Sequence, residues 1–452
     1  MSQTDVTMHP VPPRRTTVGV IGLLLAVQLA MAILPFGLGA LAPLLRDRFD
    51  LSRGEVGLAT TAVFTSVALL SIPMGHVADR LGVARALAIA TALVGLAFAG
   101  MAFAGSYGLL LAALALGGVG YAAVTPATNK GVLAAVPPLG WGRAMGVKQM
   151  GVTAGGMVAA ALLPASILRH EWTPTLLATS AAIFVVGVAG AAAYRRLVDE
   201  AGGDRRTPSG TDGAAPVRRL LALGAIVGVM VAAQHAVATY LALFMVDERG
   251  VRITVAAAAL TVLHASGTAA RLGWGYASDR LPGGRLPTIA LIGVSSVLGL
   301  VTLAIAGASM PWPAVLALVV LLGVSTQGGN AVYQTALAEE DEIRAGRASG
   351  IGMTLGFAGA VVAPPAFGAA VDTTGSYSVP YLVIAGAVGV ASIAALRLAR
   401  GSSAQPSATD GPTGRPEIIG GEGSHTVSGS RERSRRRTGR RTGRGGAGGS
   451  RT

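Results

Sequence analysis

Twelve apolar runs, each long enough as a helix to cross about 30 Å of hydrocarbon, are separated along this chain by short polar turns. They fall at Thr17–Leu45, 56–76, 86–104, 108–129, 143–167 and 174–194, and then at 218–246, 254–277, 287–308, 313–338, 346–371 and 378–398. A bilayer offers no water to the backbone, so segments of this length satisfy their own N–H and C=O groups as helices. The expected fold class is an all-α membrane protein with twelve transmembrane helices. Composition agrees: 52% of residues are hydrophobic and 13% charged, with a mean hydropathy of +0.58, whereas soluble domains carry roughly a quarter charged residues. The first run is too long for the apolar core of a secretory signal and reads as an uncleaved span.

One polar turn recurs. Gly75-His-Val-Ala-Asp79-Arg80-Leu-Gly-Val-Ala-Arg85 follows the second run, and Gly275-Tyr-Ala-Ser-Asp279-Arg280-Leu-Pro-Gly-Gly-Arg285 follows the eighth. A second pair, Gly142-Arg-Ala-Met-Gly-Val147 and Gly346-Arg-Ala-Ser-Gly-Ile351, opens runs five and eleven. Repeats at matched positions point to a chain built as two similar halves.

The pattern Gly-x-x-x-Asp-Arg-x-Gly-x-x-Arg resembles the loop signature of the major facilitator superfamily, a class of twelve-helix solute transporters, and the resemblance covers about Thr17 to Arg400. It implies two pseudo-symmetric six-helix halves with a solute cavity between them near mid-membrane. The expected organisation is a cytoplasmic tail at 1–16, a first half at 17–194, a cytoplasmic linker at 195–217, a second half at 218–400 and a disordered Arg-rich cytoplasmic tail at 401–452. Gly75, Asp79, Arg80 and Arg85, with Gly275, Asp279, Arg280 and Arg285, are candidate gating residues, because an Asp near a helix end beside arginine can hold one conformer of a rocking pair. The plainer alternative is that they cap helices and set orientation.

Charge gives the orientation. Of the net +14, +8 lies from Arg397 onward, where 12 Arg face 4 acids. With that tail left out and the N-terminus inside, the inner segments carry 16 Lys or Arg and the outer ones six: Arg46, Arg48, Arg53, Arg169, Arg249 and Arg252. Both copies of the turn are then cytoplasmic, as are both termini, in a bacterial inner or plasma membrane. Trp141, Trp172, Trp274 and Trp312 fall near span ends, where an aromatic belt would place them. The tail's Arg435–Arg437 and Arg440-Arg441 suit anionic headgroups better than nucleic acid. The chain has no Cys, which excludes disulfides and thiolate metal sites.

Polar side chains inside a bilayer are costly and mark candidate sites. By the family resemblance, spans 1, 4, 7 and 10 line the cavity. Span 1 carries Gln28 and span 4 carries Thr125, Thr128 and Asn129. Span 7 carries Gln234, His235, Thr239 and Tyr240, and span 10 carries Gln327, Asn330 and Gln334 at i, i+3 and i+7, one helical stripe. Amides that bond helix to helix are the alternative reading. Two cations are sharper signals. Arg271 lies eight residues before Asp279, about 12 Å deeper along span 8, with His264 on the same face. Lys148, followed by Gln149, lies five residues beyond Arg143, about 7.5 Å in. A buried arginine at about 2.5 to 3.5 kcal/mol is offset by an anionic cargo, which its planar fork grips with two hydrogen bonds.

Arg271-x-x-x-Gly275-x-x-x-Asp279-Arg280 also resembles oxalate/formate exchangers and monocarboxylate porters, where an arginine at this place contacts the carboxylate. Lys148-Gln149-x-Gly151 resembles bacterial organic-anion porters. Two features depart from other members. The span 4 arginine of many proton-coupled ones is Leu114 here, and the span 5 proline of drug antiporters is missing from Gly151-Val-Thr-Ala-Gly155-Gly156. The reading is a secondary active transporter of a small mono- or dicarboxylate, acting as a monomer without cofactor or metal. An exporter of drugs or metabolites and a non-transporting solute sensor or scaffold are the alternatives. No hydrolase, P-loop or metal-site pattern suggests an enzyme.

Overall fold

Leu, Ala and Val fill these runs, so each helix buries one side against its neighbours and leaves apolar residues such as Leu69, Val185 and Val390 exposed on the other. The computed structural model describes residues 14–136, 141–199, 217–282, 284–339 and 345–403. The first six helices are α1 Arg14–Phe49, α2 Arg53–Leu81, α3 Val83–Ala102, α4 Tyr107–Ala135, α5 Trp141–His170 and α6 Trp172–Asp199. The second set is α7 Val217–Arg249, α8 Ile253–Ser278, α9 Arg285–Ala306, α10 Trp312–Leu322, α11 Asn330–Glu339, α12 Ala345–Thr374 and α13 Ser378–Ser403. Together they supply twelve helical spans of membrane-crossing length and composition, the tenth made of α10, α11 and the turn between them. Helix α1 carries Arg46 and Arg48 inside its last turns, where the sequence suggested a loop, and α6 runs five residues beyond its expected end. Most of the expected linker and all but three residues of the expected C-terminal tail lie outside the described residues.

Local chemistry sets the helix ends. Ser52 accepts from the Glu55 backbone N–H while the Glu55 carboxylate accepts from Ser52, a reciprocal cap that starts α2. Ser106 caps α4 one way only, its side chain accepting from the Leu109 backbone N–H. Gly82 and Gly284 take φ of 76° and 75° where the two copies of the polar turn enter α3 and α9, a backbone conformation that side-chain-bearing residues rarely hold.

The first six helices meet the second set chiefly where α2 packs on α12, α5 on α8 and α1 on α7. Small side chains allow these contacts: at Gly39, an added Cβ would collide with the Ala238 backbone of α7. Hydroxyls tie the same seam, with Thr153 to Thr268 at 2.8 Å and Thr60 to Thr239 at 3.3 Å.

The tenth span is not a continuous α-helix. Residues Gly323–Gln327 form a π turn, which releases backbone carbonyls from the ordinary ladder. Side chains of α8 take them up: Trp274 Nε1 donates to the Val324 carbonyl at 2.9 Å and Arg271 Nε to the Gln327 carbonyl at 3.3 Å. Trp274 thereby bonds inside the bundle, and Trp172 is buried with its Nε1 on the Met101 carbonyl. Trp312 alone of these three is exposed as a belt residue would be, under the Arg249 guanidinium. The Trp141 side chain lies outside the described residues.

Candidate functional site

Between the two sets of helices lies a cavity of about 660 Å³, counting the part open to solvent. Its apolar wall includes Phe36, Phe64 and Phe357, and its polar wall includes Gln149, Gln234, His235, Arg271, Asn330 and Gln334. No carboxylate is among the described residues that line it. Arg271 is 3% exposed, so it reaches neither lipid nor bulk water. Its Nη1 donates to the Gln149 carbonyl at 2.8 Å and its Nε to the π turn, while Nη2 is buried with no hydrogen-bond partner. The cation is thus fixed by two neutral carbonyls, and one arm of its fork remains unsatisfied.

Amides extend this arrangement across the seam. Gln149 on α5 donates to Gln334 on α11 at 3.0 Å, and Gln334 donates in turn to Asn330 at 2.8 Å. A bound ligand that draws on Gln149 or Gln334 therefore competes with a bond between the two sets of helices.

One end of the seam is closed by charge. Asp247 of α7 receives Arg46 of α1 through both carboxylate oxygens at 2.9 Å, and Arg53 of α2 through Nη2 at 2.7 Å and Nε at 3.0 Å. Tyr377 donates to the same carboxylate at 2.7 Å. Burial, reinforced by Asp247, raises the Tyr377 phenol above its ordinary pKa, which keeps it a donor. Asp372 at the end of α12 accepts from the backbone N–H groups of Arg53 and Gly54 at 3.1 and 2.8 Å, so an acid of the second set caps a helix of the first. Beneath these ion pairs the Tyr240 hydroxyl lies 2.8 Å from the Arg53 carbonyl and 2.6 Å from that of Pro364. Phe36, where the cavity lining begins, is ten residues below Arg46, about 15 Å along α1.

The twelve spans, the seam between six and six and the cavity on it have the arrangement of one transporter family, and the Major Facilitator Superfamily model matches residues 24–342. The chain belongs to the Major Facilitator Superfamily. Two solved structures of a bacterial homologue of the human lysosomal transporter Spinster, both inward-facing, one occupied and one unoccupied, align with TM-scores of 0.64 and 0.60. They are 18% and 15% identical to this chain and cover 86% of it, with 97% and 96% of their own chains matched. Likeness at that identity is likeness of fold. A galacturonate transporter of Dickeya chrysanthemi is 30% identical over 144 residues, 32% of this chain and 42% of the relative's length.

Within this superfamily member the site residues expected from sequence divide. Arg271, Gln149, Gln234, His235, Asn330 and Gln334 line the cavity; Gln28, Lys148, Tyr240, His264 and Gln327 do not. Lys148 is fully buried and does not snorkel; its Nζ donates to Asn129 Oδ1 at 2.5 Å and Thr128 Oγ1 at 3.1 Å, which turns it toward α4. Thr128 also approaches Gln28 Oε1 at 3.4 Å, so Gln28 belongs to this cluster. The π turn breaks the expected stripe of span 10: Gln327 exchanges hydrogen bonds with Gln234 at 3.1 Å, while Asn330 and Gln334 face the cavity. His235 and His264 flank the Phe36 ring, at 5.5 and 5.9 Å, and both His264 nitrogens are buried without partners.

The two polar turns pair within their own sets of helices. Asp79 meets Lys130 of α4 at 3.4 Å, and Asp279 meets Arg285 at 2.6 Å, which also holds Glu339. Arg80 and Arg85 are exposed, Arg280 lies over the Tyr276 ring, and Gly75 and Gly275 are half-buried in the last turns of α2 and α8. The residues that sequence reading missed are Arg46, Arg53, Asp247, Asp372 and Tyr377. Their signal was present: two acids end spans 7 and 11 on the same side as the arginines around the first turn, an opposite-charge match across the halves.

Proposed function

We propose that this transporter moves a small organic anion, a mono- or dicarboxylate, by alternating access, with Arg271 as its anchor. The observation that carries the reading is Arg271: its Nη2 is buried and unpartnered, and the residue lines a cavity that has no acid among its described lining residues. A carboxylate satisfies that donor and neutralises the charge in one contact. Gln149, Asn330 and Gln334 offer further hydrogen bonds to hydroxyl or carbonyl groups of the cargo, and the galacturonate transporter among the relatives makes uronic acids the first class to test. Lys148 adds positive potential from behind the wall rather than direct contact.

With the Asp79 end taken as cytoplasmic from the count of positive residues, the Asp247 ion pairs seal the outer end and the cavity serves the inner side. Asp79 and Asp279 then act as gating residues in the opposite conformation, where the inner ends approach. The deciding experiment is a thermal-shift screen of purified protein against aliphatic monocarboxylates, dicarboxylates and uronic acids, run beside Arg271→Ala. Stabilisation by an acid that the variant loses supports the reading. Stabilisation of both proteins by neutral or cationic compounds alone favours the exporter reading, to which the phenylalanine wall lends weight.

A further inference from the structure

Where α7 begins and α13 ends, the two helices leave a groove lined by Ala222 and Ile226 on one side and Val390, Ile393, Arg397 and Leu398 on the other. Each wall is one helical stripe, with residues three or four apart, and Ala222 and Ala394 are the small side chains that open the space between them. Val390 and Ile393 are 69% and 53% exposed, so the groove faces outward from a membrane span. Arg397 is exposed in its lining, and Arg218 and Arg400, four residues before Ala222 and three after Arg397, are exposed about one turn farther along the same helices. Neither α13 nor α7 before Asp247 contains an acid, so these two helices supply no carboxylate to the three guanidinium groups.

From Arg397 to Val390 is seven residues, about 10 Å of apolar wall beneath a cationic rim. That profile suits one molecular class: an acyl chain for the groove and a phosphate for the arginines. A zwitterionic headgroup brings its own cation to the rim and gains less. We propose that this groove is a binding site for an anionic phospholipid, with one acyl chain along Ala222 and Ala394 and the phosphate against Arg397 and Arg218.

The test is native mass spectrometry of the full-length protein equilibrated with equal amounts of phosphatidylglycerol and phosphatidylcholine of identical chains. Wild type is expected to retain phosphatidylglycerol selectively. Arg397→Gln should lower the retained fraction about fivefold, as expected for one cation near a headgroup. Ala394→Trp fills the groove and leaves every charge in place, including those of the arginine-rich C-terminal segment, and should lower retention as much. Arg218→Gln replaces either variant that fails to elute as a monodisperse peak. Equal retention of both lipids by wild type overturns the site, and so does wild-type retention in Ala394→Trp or a dimer in place of the lipid adduct.

Discussion

Arg271 on α8 donates a hydrogen bond from Nη1 to the backbone carbonyl of Gln149 on α5, 2.8 Å away, while the Gln149 side chain reaches 3.0 Å in the other direction to Gln334 on α11. The cationic group and the amide are therefore one unit built across the seam. A backbone acceptor cannot be lost by mutation, so replacing Gln149 perturbs the amide bridge and leaves Arg271 in place.

Arg271→Lys keeps a positive charge and loses the planar fork. A charged hydrogen bond contributes about 1.5 to 3 kcal/mol, so affinity for the carboxylate should fall roughly tenfold to a hundredfold. Arg271→Gln should abolish measurable binding. Titration calorimetry with the acid found in the thermal-shift screen reads both effects, and unchanged affinity in Arg271→Gln removes the anion assignment.

Asp247 neutralises two arginines from the opposite set of helices, with its side chain 11% exposed and theirs 27% and 31%. Asp247→Asn removes the carboxylate the two arginines share and leaves only longer pairs, Arg53 to Asp372 at 3.7 Å and Arg46 to Asp47 at 4.0 Å. Discounted for that exposure, the loss is about 1 to 2 kcal/mol, enough to shift the open population of this end about tenfold. The chain has no native cysteine, so Thr60→Cys, placed beneath these ion pairs, is a clean reporter. A membrane-impermeant thiol reagent should label it faster in the Asp247→Asn background; equal labelling rates would mean that the ion pairs do not hold the seam closed.

How much of this was legible in the sequence follows from the physics of each signal. Twelve spans were legible because hydrocarbon imposes a length on every run, and Arg271 because a deep guanidinium in an apolar helix has few uses. The ion pairs at Asp247 were not, since single charges at span ends read one at a time as orientation signals, and their pairing depends on how α1, α2, α7 and α12 converge. The inward stripe expected for span 10 assumed 3.6 residues per turn throughout, whereas the π turn at Gly323–Gln327 rotates everything after it and Gln327 bonds to Gln234. Lys148 was expected at the cavity from its depth and from the resemblance of Lys148-Gln149-x-Gly151 to organic-anion porters; neither fixes the face of the helix nor the pull of Asn129 and Thr128.

The Gln234 and Gln327 amides are each 1% exposed or less and bond to each other. Gln327→Ala should cost about 2 kcal/mol, the usual penalty for stranding a buried partner. The melting temperature in detergent should drop, while binding at Arg271, which holds the Gln327 backbone rather than its side chain, should change little. Loss of binding without loss of stability would instead place the Gln327 side chain in the site.

Lys148 separates direct from indirect electrostatics. Its Nζ is engaged by Asn129 and Thr128, and it does not line the cavity, yet it adjoins Gln149, which does. A group that acts only through potential at a distance changes affinity modestly and leaves selectivity among acids unchanged, because it touches no part of the cargo. Lys148→Gln, which keeps a donor for Asn129, should therefore weaken every bound acid by a similar factor. Arg271→Lys should weaken them unevenly, most of all those that use both arms of the fork. Affinities for a series of mono- and dicarboxylates in the two variants decide between these behaviours, and a Lys148→Gln profile as uneven as that of Arg271→Lys would put the ammonium in contact with the substrate.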